Sequence, residues 1–450
     1  MSQLTSKHFP LFFAESMDST GRQTLNQDGQ PWQALASGLG FPDEDQKYWW
    51  SVMAPLLGEL MKWANYPVDK QYLVLAFCHE YILPFCGPRP TAEGGIFWPT
   101  LITKDGTPFE PSLNFYKNKA TLRVGYAPAC ELSGSNDDPI NQRAPIAALE
   151  HQKRVLPQQN LKWVDHFKKA WFIGNDDAVA LKARVHNELF EQAAVQCLIG
   201  YVFSDYTQVK VAMSPLWKSI QTGQQISRVI WDTFRELGDD ASSYLECLSA
   251  LEEYTESEQA KLAQVQPSFV NFDVNLKGDY QQSRLKVYYA TPCTAFDTMV
   301  QVFTLGGRLN GPEVDHAIEC LRVLWPSVLA VPENHPDDQD LPRRYHSVAV
   351  TQFNFELWPG AKLPVPQIYL PTNFYGRDEL EIAEGLEGFF KTLGWNEPFH
   401  AYKQNYIATC ATPEGKWKAI QHDVSFSFKD SSPYVSVYYK PELSVLSSPS

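Results

Sequence analysis

The sequence predicts an α+β protein built on a ten-stranded antiparallel β-barrel surrounded by a ring of α-helices. Three observations predict it. Helical stretches and strand pairs alternate along the chain until five pairs have appeared. Each pair is joined by a short turn, which suits antiparallel hairpins rather than the long crossovers that parallel strands require. Several strand-like runs carry cations and tyrosines on one face and apolar residues on the other, and a closed ring with no edge strands gives both faces a place.

The elements follow in order. Residues 1–45 read as irregular, with room for one short helix. Over 46–66, Trp49, Val52, Leu56, Leu57, Leu60 and Trp63 recur at helical spacing. Asp69 is expected to cap a second helix reaching about residue 85, stopped by Gly87-Pro88. Strands over 107–115 and 120–126 flank the polar turn Lys117-Asn118-Lys119, and the Ser/Gly/Asp segment 133–139 is a loop. Helical patterns cover 145–156, 161–172 and 178–195, before strands at 197–204 and 208–214. Helices at 224–237 and 241–264 lead to strands at 268–276 and 283–290 around the turn Lys277-Gly278-Asp279. Helices at 294–304 and 311–330 precede a Pro- and Asp-rich loop near 331–342. Strands at 347–357 and 365–370 flank Trp358-Pro359-Gly360, helices occupy 377–394 and 397–410, and the last strands are 419–429 and 433–440. The whole chain, 1–450, reads as one barrel domain with a frayed tail over 441–450.

The strand Arg284-Leu285-Lys286-Val287-Tyr288 shows the design most clearly. Side chains alternate, so Arg284, Lys286 and Tyr288 share one face while Leu285, Val287 and Tyr289 share the other. A half-buried strand turns such a cationic face to water. The same pattern recurs at Lys210, at Gln367 and Tyr369, at Lys429, and at Tyr434 and Tyr438. Repetition on several strands points instead to a polar lumen.

Composition narrows the function. With 44% hydrophobic residues, 13 Trp, 21 Tyr and 26 Phe, the chain has ample material for a core. A net charge of −14 argues against nucleic acid and against a polybasic membrane anchor as partners. The start, MSQLTSKHFPLFF, lacks the basic lead and apolar run of a secretory signal, and no stretch approaches the length of a spanning helix. The eight cysteines include no CxxC pair. A reduced, cytoplasmic protein is expected.

Arg123, Lys210, Arg284, Lys286 and Lys429 gathered in one lumen, with no carboxylate visibly matched to them, would await a polyanion such as a diphosphate. Tyrosines 288, 369, 434 and 438 add hydroxyls and ring faces, and aromatic faces stabilise cations. A diphosphate leaving group beside aromatic shields is equipment for making and guarding a carbocation. Glu110, on a matching strand, could accept a proton or an N–H hydrogen bond, although a lone strand glutamate also suits a solvated face. The aspartate pairs at 137–138, 176–177, 239–240 and 337–338 read as solvated turns and caps, so no metal site and no cofactor is expected. The sequence has no GxxxxGK[ST], HExxH or GxSxG, and Thr304-Leu305-Gly306-Gly307-Arg308 reads as a helix stop.

These residues resemble the fungal aromatic (indole) prenyltransferases of the dimethylallyltryptophan synthase type, over about 45–440. The resemblance is carried by Thr107-Pro108-Phe109-Glu110 with Arg123 downstream, Lys210 with Pro215, and Ser283-Arg284-Leu285-Lys286-Val287-Tyr288. Thr304-Leu305-Gly306-Gly307-Arg308, Pro366-Gln367-Ile368-Tyr369 and Pro433-Tyr434-Val435-Ser436-Val437-Tyr438 continue it in the same order. It implies a barrel of αββα units and metal-independent transfer of a dimethylallyl group from dimethylallyl diphosphate to an indole ring. By position, Glu110 would hold the indole N–H. Arg123, Lys210, Arg284, Lys286, Gln367, Lys429 and Tyr434 would bind diphosphate, and Lys210 would be catalytic together with Glu110. Tyr288, Tyr369 and Tyr438 would shield the allyl cation.

The chain departs from the family pattern at Ala212 and Asp423, where tyrosines are expected, and at Lys429, where arginine is common. The pocket should be roomier by about one ring, fitting a bulkier acceptor or a different acceptor pose. The segments Glu110-Pro111-Ser112-Leu113-Asn114-Phe115 and Leu132-Ser133-Gly134-Ser135 look like those of members that prenylate tryptophan-containing cyclic dipeptides. Such a dipeptide is the expected acceptor, with free tryptophan, tyrosine or a larger indole alkaloid as alternatives. A non-enzymatic carrier barrel would line its lumen mainly with apolar groups.

Overall fold

The computed structural model describes residues 30–91, 94–100, 102–103, 105–156, 159–274, 283–342, 350–395 and 399–446. Its strands are β1 (Phe109–Tyr116), β2 (Lys119–Tyr126), β3 (Cys197–Phe203), β4 (Thr207–Met213) and β5 (Gln266–Asp273), then β6 (Leu285–Thr291), β7 (Thr351–Leu357), β8 (Val365–Leu370), β9 (Ala419–Lys429) and β10 (Ser432–Pro441). Each pairs antiparallel with its neighbours in sequence, and β1 pairs with β10, Ser112 opposite Tyr438, to close the ring. The expected ten-stranded barrel is therefore the fold.

Two hairpins show how local chemistry sets the register. Lys117 and Asn118 (φ 46° and 62°) and Asp430 and Ser431 (φ 46° and 56°) are all left-handed. Two-residue turns with that backbone match the twist of the strands they join. Register then fixes which residues face inward. Leu113, Leu122, Val211, Val287, Phe355 and Val437 face outward and are fully buried beneath the helices. Trp63 meets Phe115 at 6.1 Å between ring centroids, and Trp163 meets Phe272 at 5.8 Å. The main apolar core is thus a shell between sheet and helices. The inner wall is polar and bonded to itself: Asn114 Nδ2 donates to Ser436 Oγ (3.1 Å) and Gln367 Nε2 to Ser425 Oγ (2.8 Å).

The helices depart from expectation in detail. The one short helix allowed for in the N-terminal segment is Pro31–Gly38, and Glu44–Trp63 starts under an Asp43 cap whose side chain accepts from Gln46 N. Pro67, not Asp69, is the cap of Val68–Tyr81; Asp69 lies in its first turn, where a negative charge favours the helix dipole. The stretch 178–195 divides into Asn175–Lys182 and Asn187–Ala193, the second capped by His186. Likewise 241–264 breaks where Ser257 caps Glu258–Leu262 after Leu245–Thr255. Helices Leu216–Thr222 and Thr372–Tyr375 have too few residues for a periodic signal. Thr304 does end a helix, through Leu305, Gly306 and Gly307 at positive φ. In the expected frayed tail, Leu443–Leu446 is helical. The turn Lys277-Gly278-Asp279 and residues 347–349 lie outside the described residues. Among the described residues no helix is long and apolar enough to cross a membrane.

Because the core lies outside the barrel, Leu285→Ala should lower stability by about 2–5 kcal/mol in urea unfolding. Tyr288→Phe, three positions along and inward, should change it far less. Equal losses would contradict this division of the two faces.

Candidate active site

Strand direction and register order the lumen into three tiers. Arg284, immediately before β6, and Lys286 on it precede Tyr288; on β10, Tyr434 precedes Tyr438; and across β1–β2, Glu110 lies opposite Gly125, beyond Arg123. Arg123, Lys210, Tyr288, Tyr369 and Tyr438 are encircled by strands yet only half-buried, because they line an open interior.

The first tier holds Lys210, Arg284, Lys286 and Lys429. Two carboxylates absent from the expected set sit among them, correcting the expectation of unmatched cations. Glu356 Oε1 lies 2.6 Å from Lys286 Nζ and 3.4 Å from Arg284 Nη1, while its Oε2 lies 2.6 Å from Lys429 Nζ. Asp273 Oδ2 lies 3.2 Å from Arg284 Nε. The register explains both: Lys286 is directly opposite Glu356, and Lys210 opposite Asp273. Among the described residues Lys210 makes no ion pair.

Electrostatics show that two carboxylates do not neutralise the tier. Burial opposes charge on Glu356, but Lys286, Lys429 and Arg284 outweigh it and hold its carboxyl well below the usual range. Burial, then repulsion from Arg284, Arg123 and Lys286, drives Lys210 well below an ordinary lysine. Burial likewise lowers Lys286; Glu356 supports its charge, Arg284 and Lys429 oppose it, and it comes to about 7. Five basic side chains, counting Arg123, face two acids, and an entering polyanion would relieve their mutual repulsion and favour the charged forms of Lys210 and Lys286.

In the second tier Tyr288, Tyr369 and Tyr438 form a row, with ring centroids 6.1 Å and 5.8 Å apart. Asn354 Nδ2 donates to Tyr369 Oη (2.9 Å) and to Gln367 Oε1 (3.0 Å), so Gln367 is also committed to the wall. Arg123 donates through Nη2 to Tyr434 Oη, and Lys429 Nζ stands 4.5 Å over the Tyr434 ring.

The third tier is Glu110, His422 and Asp423. His422 Nδ1 lies 3.0 Å from Glu110 Oε1 and 3.0 Å from Asp423 Oδ2. Burial disfavours the imidazolium, but the two acids outweigh it and raise His422 to about 10. Burial pushes Glu110 upward, and His422 pulls it back. These three are the one group of potential metal ligands found among the described residues, with ligand atoms within 4.8 Å of one another. A ring kept protonated at Nδ1 is an ion-pair partner and not a ligand at that atom.

Near this tier the β2–β4 wall is low. Gly200 lies opposite both Gly125 and Lys210. A Cβ at Gly125 would meet only the Glu110 carbonyl oxygen, at 3.9 Å, and one at Gly200 only Lys210 Cβ, at 3.9 Å. Ala212 adds one methyl. The 132–135 segment is bonded within its loop and to a neighbouring helix: Ser133 Oγ donates to Asn141 Oδ1 (2.8 Å), and Lys182, at the end of Asn175–Lys182, donates to Gly134 O (2.8 Å).

Comparison with known proteins agrees with this architecture. The tryptophan dimethylallyltransferase family model matches residues 45–405. An indole diterpene prenyltransferase of Hypoxylon pulicicidum is 98% identical over 434 residues, 96% of this chain and 100% of the relative. One from Penicillium janthinellum is 49% identical, covering 92% of this chain and 95% of the relative. Among solved structures, AnaPT from Neosartorya fischeri is similar with a TM-score of 0.78 at 25% identity, over 92% of this chain and 98% of that one. NotF in complex with brevianamide F and DMSPP gives 0.77 at 25% identity, over 92% and 99%.

Two outcomes test the cation tier. Inorganic diphosphate should bind more weakly as pH rises through about 7, because Lys286 then loses its charge; calorimetry on wild type and Lys286→Arg, in which the loss should flatten, separates this from titration of the anion itself. In the empty protein the sign reverses: the buried ammonium lowers stability below about 7, and the penalty lifts as pH rises toward the unfolded lysine's value. Glu356→Gln should lower stability by about 3–5 kcal/mol, since it leaves three cations facing one another. Diphosphate should restore more stability to this variant than it adds to wild type; an unchanged unfolding midpoint would count against the account.

Proposed function

Because the chain belongs to the tryptophan dimethylallyltransferase family, we propose that it transfers a dimethylallyl group from dimethylallyl diphosphate to the indole ring of an indole diterpene, without a metal ion. It is an aromatic indole prenyltransferase by its family and relatives. The acceptor is the finer step. The observation that carries it is the low wall: Gly125 stands opposite Glu110, with Gly200 next to it and Ala212 on β4, and nothing longer than a methyl rises from these three positions. Relatives named as indole diterpene prenyltransferases at 98%, 49% and 44% identity support it. The tryptophan-containing cyclic dipeptide expected from the 110–115 and 132–135 segments is the second reading, favoured by the fold likeness to NotF bound to brevianamide F.

In this reading the diphosphate sits among Arg123, Lys210, Arg284, Lys286 and Lys429, with Tyr434 at its edge, while Gln367, bonded to Asn354 and Ser425, supports the wall behind it. The C1–O bond breaks and its electron pair leaves with the diphosphate. Fixed cations meet the developing charge without reorganising, which is where preorganised electrostatics contribute most. Tyr288, Tyr369 and Tyr438 flank the allyl cation, each ring face stabilising it by about 0.5–2 kcal/mol. The indole attacks, a bond from ring to allyl carbon forms, and the ring proton leaves to a base. Glu110 accepts the indole N–H and favours the charge that spreads over the ring.

The assay is direct. Purified protein, dimethylallyl diphosphate and EDTA are combined with an indole diterpene, a tryptophan-containing cyclic dipeptide or free tryptophan, and products are read by mass and NMR. The diterpene should gain one dimethylallyl unit with chelator present; no gain, or gain only with added magnesium, would overturn the proposal. Glu110→Gln, which removes the charge that favours the positive ring, should lower kcat by on the order of 10²–10³. Ala212→Tyr should narrow the acceptor range or move the prenylated position, and an unchanged product profile would remove the role given to the low wall.

A further inference from the structure

His422 breaks the alternation of its strand. Asp423, Ser425 and Ser427 belong to the lumen, so a regular β9 would send His422 outward beside Val424. Instead β9 carries a bulge: Tyr438 pairs with Asp423 and Tyr439 with Gln421, leaving His422 between them without a partner across the ladder. Bulges re-aim side chains, and this one delivers the ring to Glu110. Both residues are buried, at 7% and 8% exposure.

A carboxyl so placed tends to keep its proton, because burial penalises the charged form. A protonated Glu110 would be a poor acceptor for an indole N–H. The other charges facing it come from two elements. On β10, Tyr438 is neutral, and Lys440 is already matched, its Nζ 3.0 Å from Asp105 Oδ2 in the segment before β1 and 2.6 Å from Glu442 Oε1. On β2, the position opposite Glu110 is Gly125, which has no side chain. The imidazole is therefore the cation within contact distance of Glu110. Glu110 Oε1 and His422 Nδ1 lie 3.0 Å apart, both buried and without a well-aligned hydrogen bond, so the contact is an ion pair between carboxylate and ring.

Resting on the acceptor chemistry above, we propose that His422 is a positioning residue: as an imidazolium between Asp423 and Glu110, it holds the Glu110 carboxylate ionised and oriented to receive the acceptor's N–H. Asp423 is the counter-anion that keeps the ring charged. Replacing an expected shield tyrosine by Asp423 thus completes an acid–imidazolium–acid clamp at the acceptor end.

Two measurements test this. In His422→Asn, the acid limb of kcat/KM for the acceptor should move toward neutral pH by about 1–3 units, as expected when an opposite charge is removed from a carboxylate. For each unit by which the Glu110 pKa then exceeds the assay pH, acceptor kcat/KM falls about tenfold, while KM for dimethylallyl diphosphate stays unchanged. An unmoved acid limb, or equal damage to both substrates, overturns the proposal. The second measurement needs neither substrate nor variant activity. The ¹⁵N shifts of the His422 ring in the wild-type protein should report an imidazolium up to about pH 10; titration near the ordinary histidine value overturns the proposal. A chain that transferred no prenyl group would defeat the function assigned above, while the ring titration would still decide the state of His422.

Discussion

Closure of the sheet between β1 and β10 is the constraint on which the rest of the molecule depends. A strand row with both faces covered is ordinarily apolar on both. Here the ring has no edge, the outer face packs beneath helices, and the backbone of the inner wall is hydrogen-bonded all round. The inner face is therefore free to carry charge. Leu285 and Val287 secure β6 from outside while Lys286 on it, and Arg284 just before it, equip the interior. Stability and chemistry are divided between alternate residues.

That division makes a strained electrostatic arrangement tolerable. Glu356 bridges three cations at once, and Asp273 holds Arg284 from the other side. The acids fix the cations in position but leave them in excess, with Lys210 and Lys286 less basic than ordinary lysines. A site that paired every cation would bind an anion poorly; one that paired none would repel itself apart. The opposite end has the reverse balance, two carboxylates around one imidazole. The tyrosine row separates them, so the two ends of the lumen differ in charge, and in the proposed function the reacting atoms lie between aromatic faces.

Much of this was legible in the sequence, and the gaps have physical causes. Period-two alternation placed Arg284, Lys286 and Tyr288 on one face, and the hairpin turns gave antiparallel pairing. Asp273 and Glu356 also alternate with inward asparagines, Asn271 and Asn354, but their partnership with the cations depends on cross-strand register. One sequence does not contain that register. His422 was hidden for a different reason: a bulge shifts the phase of alternation by one residue, and only the pairing of Tyr439 with Gln421 reveals it. Helix breaks at His186 and Ser257 depended on caps inside longer apolar runs, where periodicity alone joins neighbouring helices.

The central claim is that basic side chains from separate hairpins converge on one diphosphate and stand in for a metal ion. A crystal structure of the protein grown in chelator with dimethylallyl thiolodiphosphate tests it most directly. Both phosphates should lie among Arg123, Lys210, Arg284, Lys286 and Lys429, with the allyl carbons against Tyr288, Tyr369 and Tyr438. Phosphates outside that group, or ordered only when a divalent cation bridges them to carboxylates, would contradict it.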